Sequence, residues 1–199
     1  MGDYYAMGDY YAMRDYYATC ATAATVDSAD PGYRVAPMHH LSIRTANIHR
    51  AIAFYEALGF QVQERFTTGF TLACWMEGCG SAAPGETLAP APGLSGRLEL
   101  IQIPQPRSVP DAFGDEHYTG FYHASFDVTA LAPNLPQWLE ILEQRLQRVD
   151  CDPPLTLKVL LPPTQQMIGD RVYEVAFIAD GDGLPLEFLH SPPPVALSR

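Results

Sequence analysis

The sequence predicts an α+β fold in which a βαβββ module occurs twice, so that two curved mixed sheets enclose a shared cleft and the helices lie outside. The first observation is the segment 38–60, MHHLSIRTANIHRAIAFYEALGF, where the apolar residues change from strand alternation to helical spacing. The second is that a strand and an amphipathic helix occur again at 121–149. Three further strands are predicted after each helix, and this duplication indicates two pseudo-symmetric halves.

The first module opens with a half-buried strand. Apolar Leu41 and Ile43 point to one face of this strand. The polar residues His40, Ser42 and Arg44 therefore point to the opposite face. The strand thus directs a histidine away from the side that must pack against the following helix.

An amphipathic helix follows this strand. Asn47 is a suitable N-cap, and Gly59 stands where a C-cap glycine is typical. The apolar residues of one helix face are Ile48, Ala51, Ile52, Tyr55 and Leu58. This pattern predicts a helix that ends at Gly59.

Three strands complete the first module. The predicted strands are 60–66, 70–77 and 97–103, with a turn at 67–69 and a long loop rich in glycine, alanine and proline at 78–96. In the last strand Leu98 and Leu100 share one face, and Glu99 lies on the other. The sequence therefore predicts that Glu99, like His40, points away from the helix.

The second module repeats this order after a linker at 104–120. A strand at 121–128 places Tyr122, Ala124, Phe126 and Val128 on one side and His123 on the other. The helix predicted at 136–149 buries Trp138, Leu139, Leu142, Leu146 and Val149. The remaining strands are predicted at 155–161, 171–179 and 185–190, with a loop at 167–170 and a turn at 181–183. The two modules thus span about 38–103 and 121–190.

Composition excludes several classes of protein. The net charge of −11 over 199 residues argues against a nucleic-acid surface, which needs clustered lysine and arginine. No apolar run has the length of a membrane span, and the N-terminus lacks the pattern of a secretory signal. The four cysteines form no CxxC pair and are too sparse for a disulfide framework. A reducing, cytoplasmic location is therefore expected.

The N-terminus has a separate character. Residues 1–18 are three tandem hexamers, MGDYYA, MGDYYA and MRDYYA, and residues 19–34 continue as a polar linker. We expect a disordered leader at 1–34, the alternative being an adhesive, self-associating tail. The folded domain is predicted at 35–192, followed by a tail at 193–199.

Four side chains at matching places suggest a metal site. His40 and His123 lie in the first strand of each module, and Glu99 and Glu187 lie in the last. A carboxylate in the middle of an apolar strand needs a positive partner, which one divalent cation supplies to both glutamates. Two imidazoles and two carboxylates suit Zn, Ni, Fe(II), Mn or Co without choosing among them. The alternative is that each residue is ordinary, with Glu187 paired to Arg44 or Arg171.

The motifs resemble the vicinal oxygen chelate superfamily, the glyoxalase and bleomycin-resistance fold. The stretch HHLSIRTANIHRAIAFYEALGF is similar to that family's opening, and RLELIQIP, FYHASFDV and DGDGLPLEFLH are similar to its later ligand strands. The resemblance covers residues 36–190 and aligns the first ligand with His40 over His39. It implies one divalent metal bound by His40, Glu99, His123 and Glu187.

A complete His, Glu, His, Glu set looks most like glyoxalase I, lactoylglutathione lyase. The resemblance then implies that Glu187 is the general base and that a metal-stabilised enediolate forms. It implies that Arg44 binds a small-molecule substrate, which would be a glutathione adduct. Ile103 departs from the family, because the bacterial enzyme has an asparagine for glutathione there.

The superfamily leaves other functions open. An iron(II) extradiol-type dioxygenase and a non-catalytic binding protein of the bleomycin-resistance kind are the alternatives. The modules of this superfamily pair within one chain or across a homodimer, and no residue of the sequence decides between the two. Among lesser candidates, Ser125 and Asp127 could orient His123 or a water molecule.

Overall fold

The computed structural model describes residues 38–78, 96–105, 107, 113 and 119–191. The elements of the first module are β1 (Leu41–Thr45), α1 (Ile48–Ala57), β2 (Phe60–Thr68), β3 (Thr71–Gly78) and β4 (Arg97–Gln102). Those of the second are β5 (Ala124–Asp127), α2 (Leu135–Gln147), β6 (Lys158–Ile168), β7 (Arg171–Ala179) and β8 (Pro185–His190). The predicted βαβββ order is confirmed in both modules, and all ten elements lie in one compact unit that begins at His39.

Both helices start at an asparagine cap. The side chain of Asn47 accepts hydrogen bonds from the backbone N–H groups of His49 and Arg50, and that of Asn134 accepts one from Gln137. These bonds satisfy backbone donors that have no partner inside the helix. At the other end of α1, Gly59 has φ +103°, a conformation that a side chain disfavours. The caps predicted from the sequence at the two ends of α1 are therefore present.

Each module forms one four-stranded mixed sheet. The strand orders are β1-β4-β3-β2 and β5-β8-β7-β6. In each sheet the first and last strands of the module pair in parallel, and the other pairs are antiparallel. This pairing places Ser42 beside Glu99 and, equivalently, Ser125 beside Glu187. The topology thus brings the two strands that carry predicted ligands next to each other in each module.

The helix-facing sides of the two sheets belong to one hydrophobic core. Leu100 and Met76 of the first sheet and Phe188 and Ile178 of the second are at most 1% exposed and lie in the same cluster of buried residues. The helices contribute fully buried side chains such as Leu142. Because both modules use the same side of their sheets for this shared core, the opposite sheet faces remain available for a site.

Hydrogen bonds also join the modules. The hydroxyl group of Tyr55 donates to the Asp180 carboxylate at 3.0 Å. The carboxylate of Asp182 accepts from the Thr45 hydroxyl group at 2.5 Å and from the backbone N–H of Ala46 at 3.1 Å. The turn between β7 and β8 is therefore attached both to the end of β1 and to helix α1.

Burial changes the acidity of two of these groups. It raises the pKa of the Asp180 carboxyl group, although the backbone N–H groups of Leu184 and Asp182 donate to this side chain and oppose the shift. Burial, and then the nearby Asp180 charge, raise the pKa of the Tyr55 hydroxyl group well above its ordinary value. Both groups are therefore harder to ionise in the folded protein.

Several predicted boundaries are wrong, including the turn at 67–69, where Thr67 and Thr68 still belong to β2. The segment 167–170, expected to be a loop, holds the end of β6 at Met167 and Ile168, and only Gly169 and Asp170 form the turn. Strand β6 extends so far because it is an edge strand, where Pro162 and Pro163 are accommodated with a shift in register. Strand β5 is shorter than predicted and begins only at Ala124.

Several predictions lie outside the described residues. They are the leader at 1–34, the tail at 193–199, and most of the segments 78–96 and 104–120. Within the described ranges, neither helix has the length and apolar character that crossing a lipid bilayer requires.

Candidate metal centre

The first predicted ligand pair meets on the outer face of the first sheet. His40 directly precedes β1, and Glu99 lies on the neighbouring strand β4. The His40 Nε2 and Glu99 Oε2 atoms are 3.4 Å apart, and the side chains are 31% and 15% exposed. Leu98 and Leu100, on either side of Glu99, face the core, so the strand alternation itself turns Glu99 outward.

The second pair repeats this arrangement. His123 directly precedes β5, Glu187 lies on β8, and the His123 Nε2 and Glu187 Oε2 atoms are 3.3 Å apart. The side chains are 25% and 13% exposed. An aromatic residue faces each glutamate from the third strand, since Trp75 pairs with Glu99 and Phe177 with Glu187. The two modules therefore present structurally equivalent His–Glu pairs.

The spacing within each pair suits two ligands of one cation. Metal–nitrogen and metal–oxygen bonds of about 2.0–2.2 Å at tetrahedral angles place neighbouring ligand atoms about 3.4 Å apart. The observed separations are 3.4 and 3.3 Å, whereas a strong charge-assisted hydrogen bond would be about 2.7–2.9 Å. The donor set of each pair, one imidazole and one carboxylate, is suitable for a divalent metal.

The four predicted ligands are brought together as two pairs and not as one group of four. Within the part of the chain that the structure describes, no three His, Cys, Asp or Glu side chains converge closely enough to hold a metal ion. One chain therefore presents these ligands as two separate pairs, and the binding of all four to a single cation stays a prediction. The physical reason is the shared core, because the ligand-bearing faces are the faces that the two sheets turn away from it.

The surroundings of the first pair are aromatic and basic. The ring of Trp75 lies edge-on to that of His40 at 4.7 Å, and the Arg97 guanidinium lies 5.8 Å from the Trp75 ring centre. Arg97 also forms an ion pair with Glu77. His39 Nδ1 lies 2.9 Å from His40 Nδ1. The sequence analysis did not assign His39 to the site, because the family resemblance aligned the first ligand with His40.

The second pair has an aromatic environment. The rings of Tyr122 and Phe177 contact the His123 ring, with centres 4.7 and 5.1 Å away, and Phe113 packs against both of them. The Nδ1 atom of His123 is buried and has no hydrogen-bond partner among the described residues. Tyr122 was predicted to lie in β5 on the same side as Ala124 and Phe126, but it precedes this strand and is 43% exposed.

The remaining predicted site residues lie on the ligand-bearing strands or next to them. Arg44 is exposed on the same face of β1 as Ser42, and it pairs with Ile101 of the neighbouring strand β4. Glu187 lies beside His123, and among the described residues neither Arg44 nor Arg171 forms an ion pair with it. The carboxylate of Asp127 accepts from the backbone N–H of Thr129.

Two cysteines of the described ranges, Cys74 and Cys151, are free thiols. Cys74 lies within the core, and burial raises the pKa of its thiol. A thiol with a raised pKa is a poor nucleophile at neutral pH.

Comparisons with known proteins agree with this architecture. A search of curated proteins found no match. A glyoxalase family protein from Bacillus cereus is 14% identical, with a TM-score of 0.52 and coverage of 83% of this chain and 100% of that chain. A glyoxalase family protein from Enterococcus faecalis is 18% identical, with a TM-score of 0.51 and coverage of 77% and 96%. At these identities the similarity shows the fold alone.

The family is established by the sequence match. The profile described as Glyoxalase/Bleomycin resistance protein/Dioxygenase superfamily matches residues 38–188, which include both His–Glu pairs. The chain belongs to the glyoxalase/bleomycin resistance protein/dioxygenase superfamily.

Proposed function

We propose that the protein is a divalent-metal-dependent lyase or isomerase of the glyoxalase I type, and that two copies of the chain complete each metal site. The observation that carries the proposal is the pair of equivalent His–Glu half-sites, His40 with Glu99 and His123 with Glu187, at the spacing of neighbouring metal ligands. Membership of a superfamily whose description includes glyoxalases and dioxygenases supports an enzyme of this kind.

The shared site follows from the arrangement of the half-sites. One pair offers two ligands, which leaves a divalent cation with vacant positions in a tetrahedral or larger shell. The two pairs of one chain lie on faces turned away from a common core. In a two-fold symmetric dimer, the first module of one copy can face the second module of the other, which gives two identical four-ligand sites.

The proposed reaction moves a proton between adjacent carbon atoms of a hemithioacetal through an enediolate. When bound, the cation would stabilise the negative charge that develops on the substrate oxygens. The Glu187 carboxylate would take the proton from one carbon and return it to the other, as a general base and then a general acid. Glu187 is 13% exposed, so its environment is largely shielded from water.

Arg44 is the proposed contact for the substrate. Its exposed guanidinium lies on the ligand-bearing face of β1, where it could pair with a carboxylate of a glutathione adduct. Recognition of this carboxylate would require a positively charged side chain at the position of Arg44. The free thiols Cys74 and Cys151 suit the cytoplasmic location that we propose with this substrate.

The test is a lactoylglutathione lyase assay with metal analysis of the same samples. The wild-type protein, loaded separately with Zn, Ni, Fe(II), Mn or Co, should convert the methylglyoxal–glutathione adduct. Glu187→Gln should lower kcat by about 10²-fold or more, because the general base is lost. Glu143→Gln, at an exposed position on α2, is the matched control and should retain full activity.

Several outcomes would contradict the proposal. Full activity of Glu187→Gln would remove Glu187 from the mechanism. Oxygen uptake with a catechol, seen only with iron, would identify an extradiol-type dioxygenase instead. A purified protein that binds none of the five metals, and whose stability is unaffected by Glu99→Gln and Glu187→Gln, would favour a non-catalytic binding protein.

A further inference from the structure

Four side chains form a row of close contacts that includes the first predicted ligand pair. Arg97 Nη1 lies 3.4 Å from His39 Nε2, His39 Nδ1 lies 2.9 Å from His40 Nδ1, and His40 Nε2 lies 3.4 Å from Glu99 Oε2. Every nitrogen of the two imidazoles therefore has a neighbour within this row. The row is built by residues from β4 and from the segment before β1.

The chemistry of these groups assigns the protons. A guanidinium only donates hydrogen bonds, so the His39 Nε2 atom that faces Arg97 is the acceptor. A neutral imidazole carries its proton on the other nitrogen, so His39 Nδ1–H donates to His40 Nδ1. A neutral His40 that accepts at Nδ1 then carries its own proton on Nε2, the nitrogen that lies 3.4 Å from the Glu99 Oε2 atom. In this arrangement the nitrogen that would bind a metal is blocked by a proton.

We infer that His39 is a positioning residue that controls the tautomer of His40, and that the two histidines exchange tautomers when a cation binds. This inference rests on the proposed metal site. A cation on His40 Nε2 requires the His40 proton on Nδ1, where His39 Nδ1 becomes its acceptor. His39 then carries its proton on Nε2 and gives up the hydrogen bond from Arg97.

The protons balance in this exchange. One proton leaves His40 Nε2, one crosses from His39 Nδ1 to His40 Nδ1 over 2.9 Å, and one is taken up by His39 Nε2 from solvent. Both imidazoles stay neutral, so the net charge of the pair does not change. The hydrogen bond between the two Nδ1 atoms persists with its direction reversed, and the imidazole of His40 keeps its position.

The second module supplies an internal control. Tyr122 occupies the place of His39, directly before the predicted ligand His123. Its ring contacts the His123 ring at 4.7 Å, but among the described residues no group hydrogen-bonds to His123 Nδ1. Among the described residues, therefore, only the first half-site has a neighbour that can select a tautomer.

The first experiment needs no metal. Nitrogen-15 NMR of the imidazole nitrogens in the metal-free full chain should show His40 protonated on Nε2. In His39→Phe, which keeps a ring beside Trp75, this preference should be lost. Tyr122→Phe should leave the tautomers of both ligand histidines unchanged. A metal-free wild-type protein with the His40 proton on Nδ1, or an unchanged His40 tautomer in His39→Phe, would overturn the inference.

The second experiment is a zinc titration of the same proteins, with the metal alone as probe. Zinc should move the His40 proton to Nδ1 in the wild-type spectrum. His39→Phe should weaken zinc binding by about 10- to 100-fold, His39→Asn should restore part of the loss because it keeps an acceptor, and Tyr122→Phe should bind like wild type. Equal zinc affinity of His39→Phe and wild type would overturn the inference.

The two experiments separate this inference from the proposed function. If the wild-type chain binds no zinc, the proposed metal site fails. The tautomer of His40 in metal-free wild type and His39→Phe still decides whether His39 controls its neighbour.

Discussion

The hydroxyl group of Tyr55 and the carboxylate of Asp180 form a buried hydrogen bond of 3.0 Å that joins helix α1 of the first module to the turn before β8 of the second. Tyr55 is 1% exposed and Asp180 is 8% exposed. The bond is made by a residue of the shared core, since Tyr55 belongs to that cluster of buried residues. It therefore contributes to holding two modules in the orientation that turns their ligand-bearing faces outward.

Removing this bond should destabilise the chain. Tyr55→Phe leaves one oxygen of a buried carboxylate without its donor, which should lower the free energy of unfolding by about 1–3 kcal/mol at neutral pH. Urea denaturation measures this change. Tyr122→Phe, at a more exposed tyrosine, is the control and should be within about 0.5 kcal/mol of wild type. Equal stability of Tyr55→Phe and wild type would show that the bond contributes nothing.

The same pair predicts a loss of stability at alkaline pH. The pKa of Tyr55 is raised in the folded state, mainly by burial. Its contribution is therefore fully present below the ordinary pKa of 10.0 and is lost as pH rises toward the folded pKa. The stability advantage of wild type over Tyr55→Phe should shrink as pH rises above about 10. An advantage that grows with pH in this range would contradict the assignment.

The raised pKa of Asp180 predicts that the stability of the protein depends on pH in the acidic range. Burial raises its pKa above the ordinary 3.8, so the folded state favours the protonated carboxyl group. Wild type should lose stability relative to Asp180→Asn as pH rises from about 3.8 through the folded pKa. The asparagine oxygen can still accept from the Leu184 and Asp182 N–H groups. Denaturation of both proteins across this range measures the difference, and a constant difference would rule out the shift.

The two helix caps make a matched pair of predictions. Asn47 accepts two backbone N–H groups and Asn134 accepts one. Asn47→Ala and Asn134→Ala should each lower the free energy of unfolding by about 0.5–2 kcal/mol, with the larger loss at Asn47. Gln144→Ala, at an exposed position inside α2, is the control and should be close to neutral. A loss at Gln144 as large as at the caps would mean that capping is not the cause.

Local patterns were sufficient to predict most of the fold. The alternation around Leu98 and Leu100 places Glu99 on the outer face as predicted, and Asn47 and Gly59 bound α1 as predicted. These features depend on backbone geometry within a few residues. The end of β6 was missed because its extension past Pro162 depends on its place at the sheet edge, which is a property of the whole sheet.

The site was predicted less completely than the fold. The sequence identified both His–Glu pairs but not their separation, because no local pattern determines how the two modules pack against each other. His39 and Tyr122 were placed by strand alternation, although β1 and β5 begin only after them, at Leu41 and Ala124. Their contacts with the ligand histidines depend on irregular backbone, for which alternation gives no direction.

The central claim, that each metal site takes one His–Glu pair from each of two copies, is tested by complementation. His40→Ala damages one half-site and His123→Ala damages the other, so a homodimer of either variant has no intact site. A mixed dimer, obtained by co-expression with two different tags, has one intact site and one that lacks both histidines.

Purified mixed dimers should regain about half of the wild-type lyase activity and bind about one metal ion per dimer, while both parent homodimers stay inactive. Mixed dimers as inactive and metal-free as their parents would contradict a site shared between two copies.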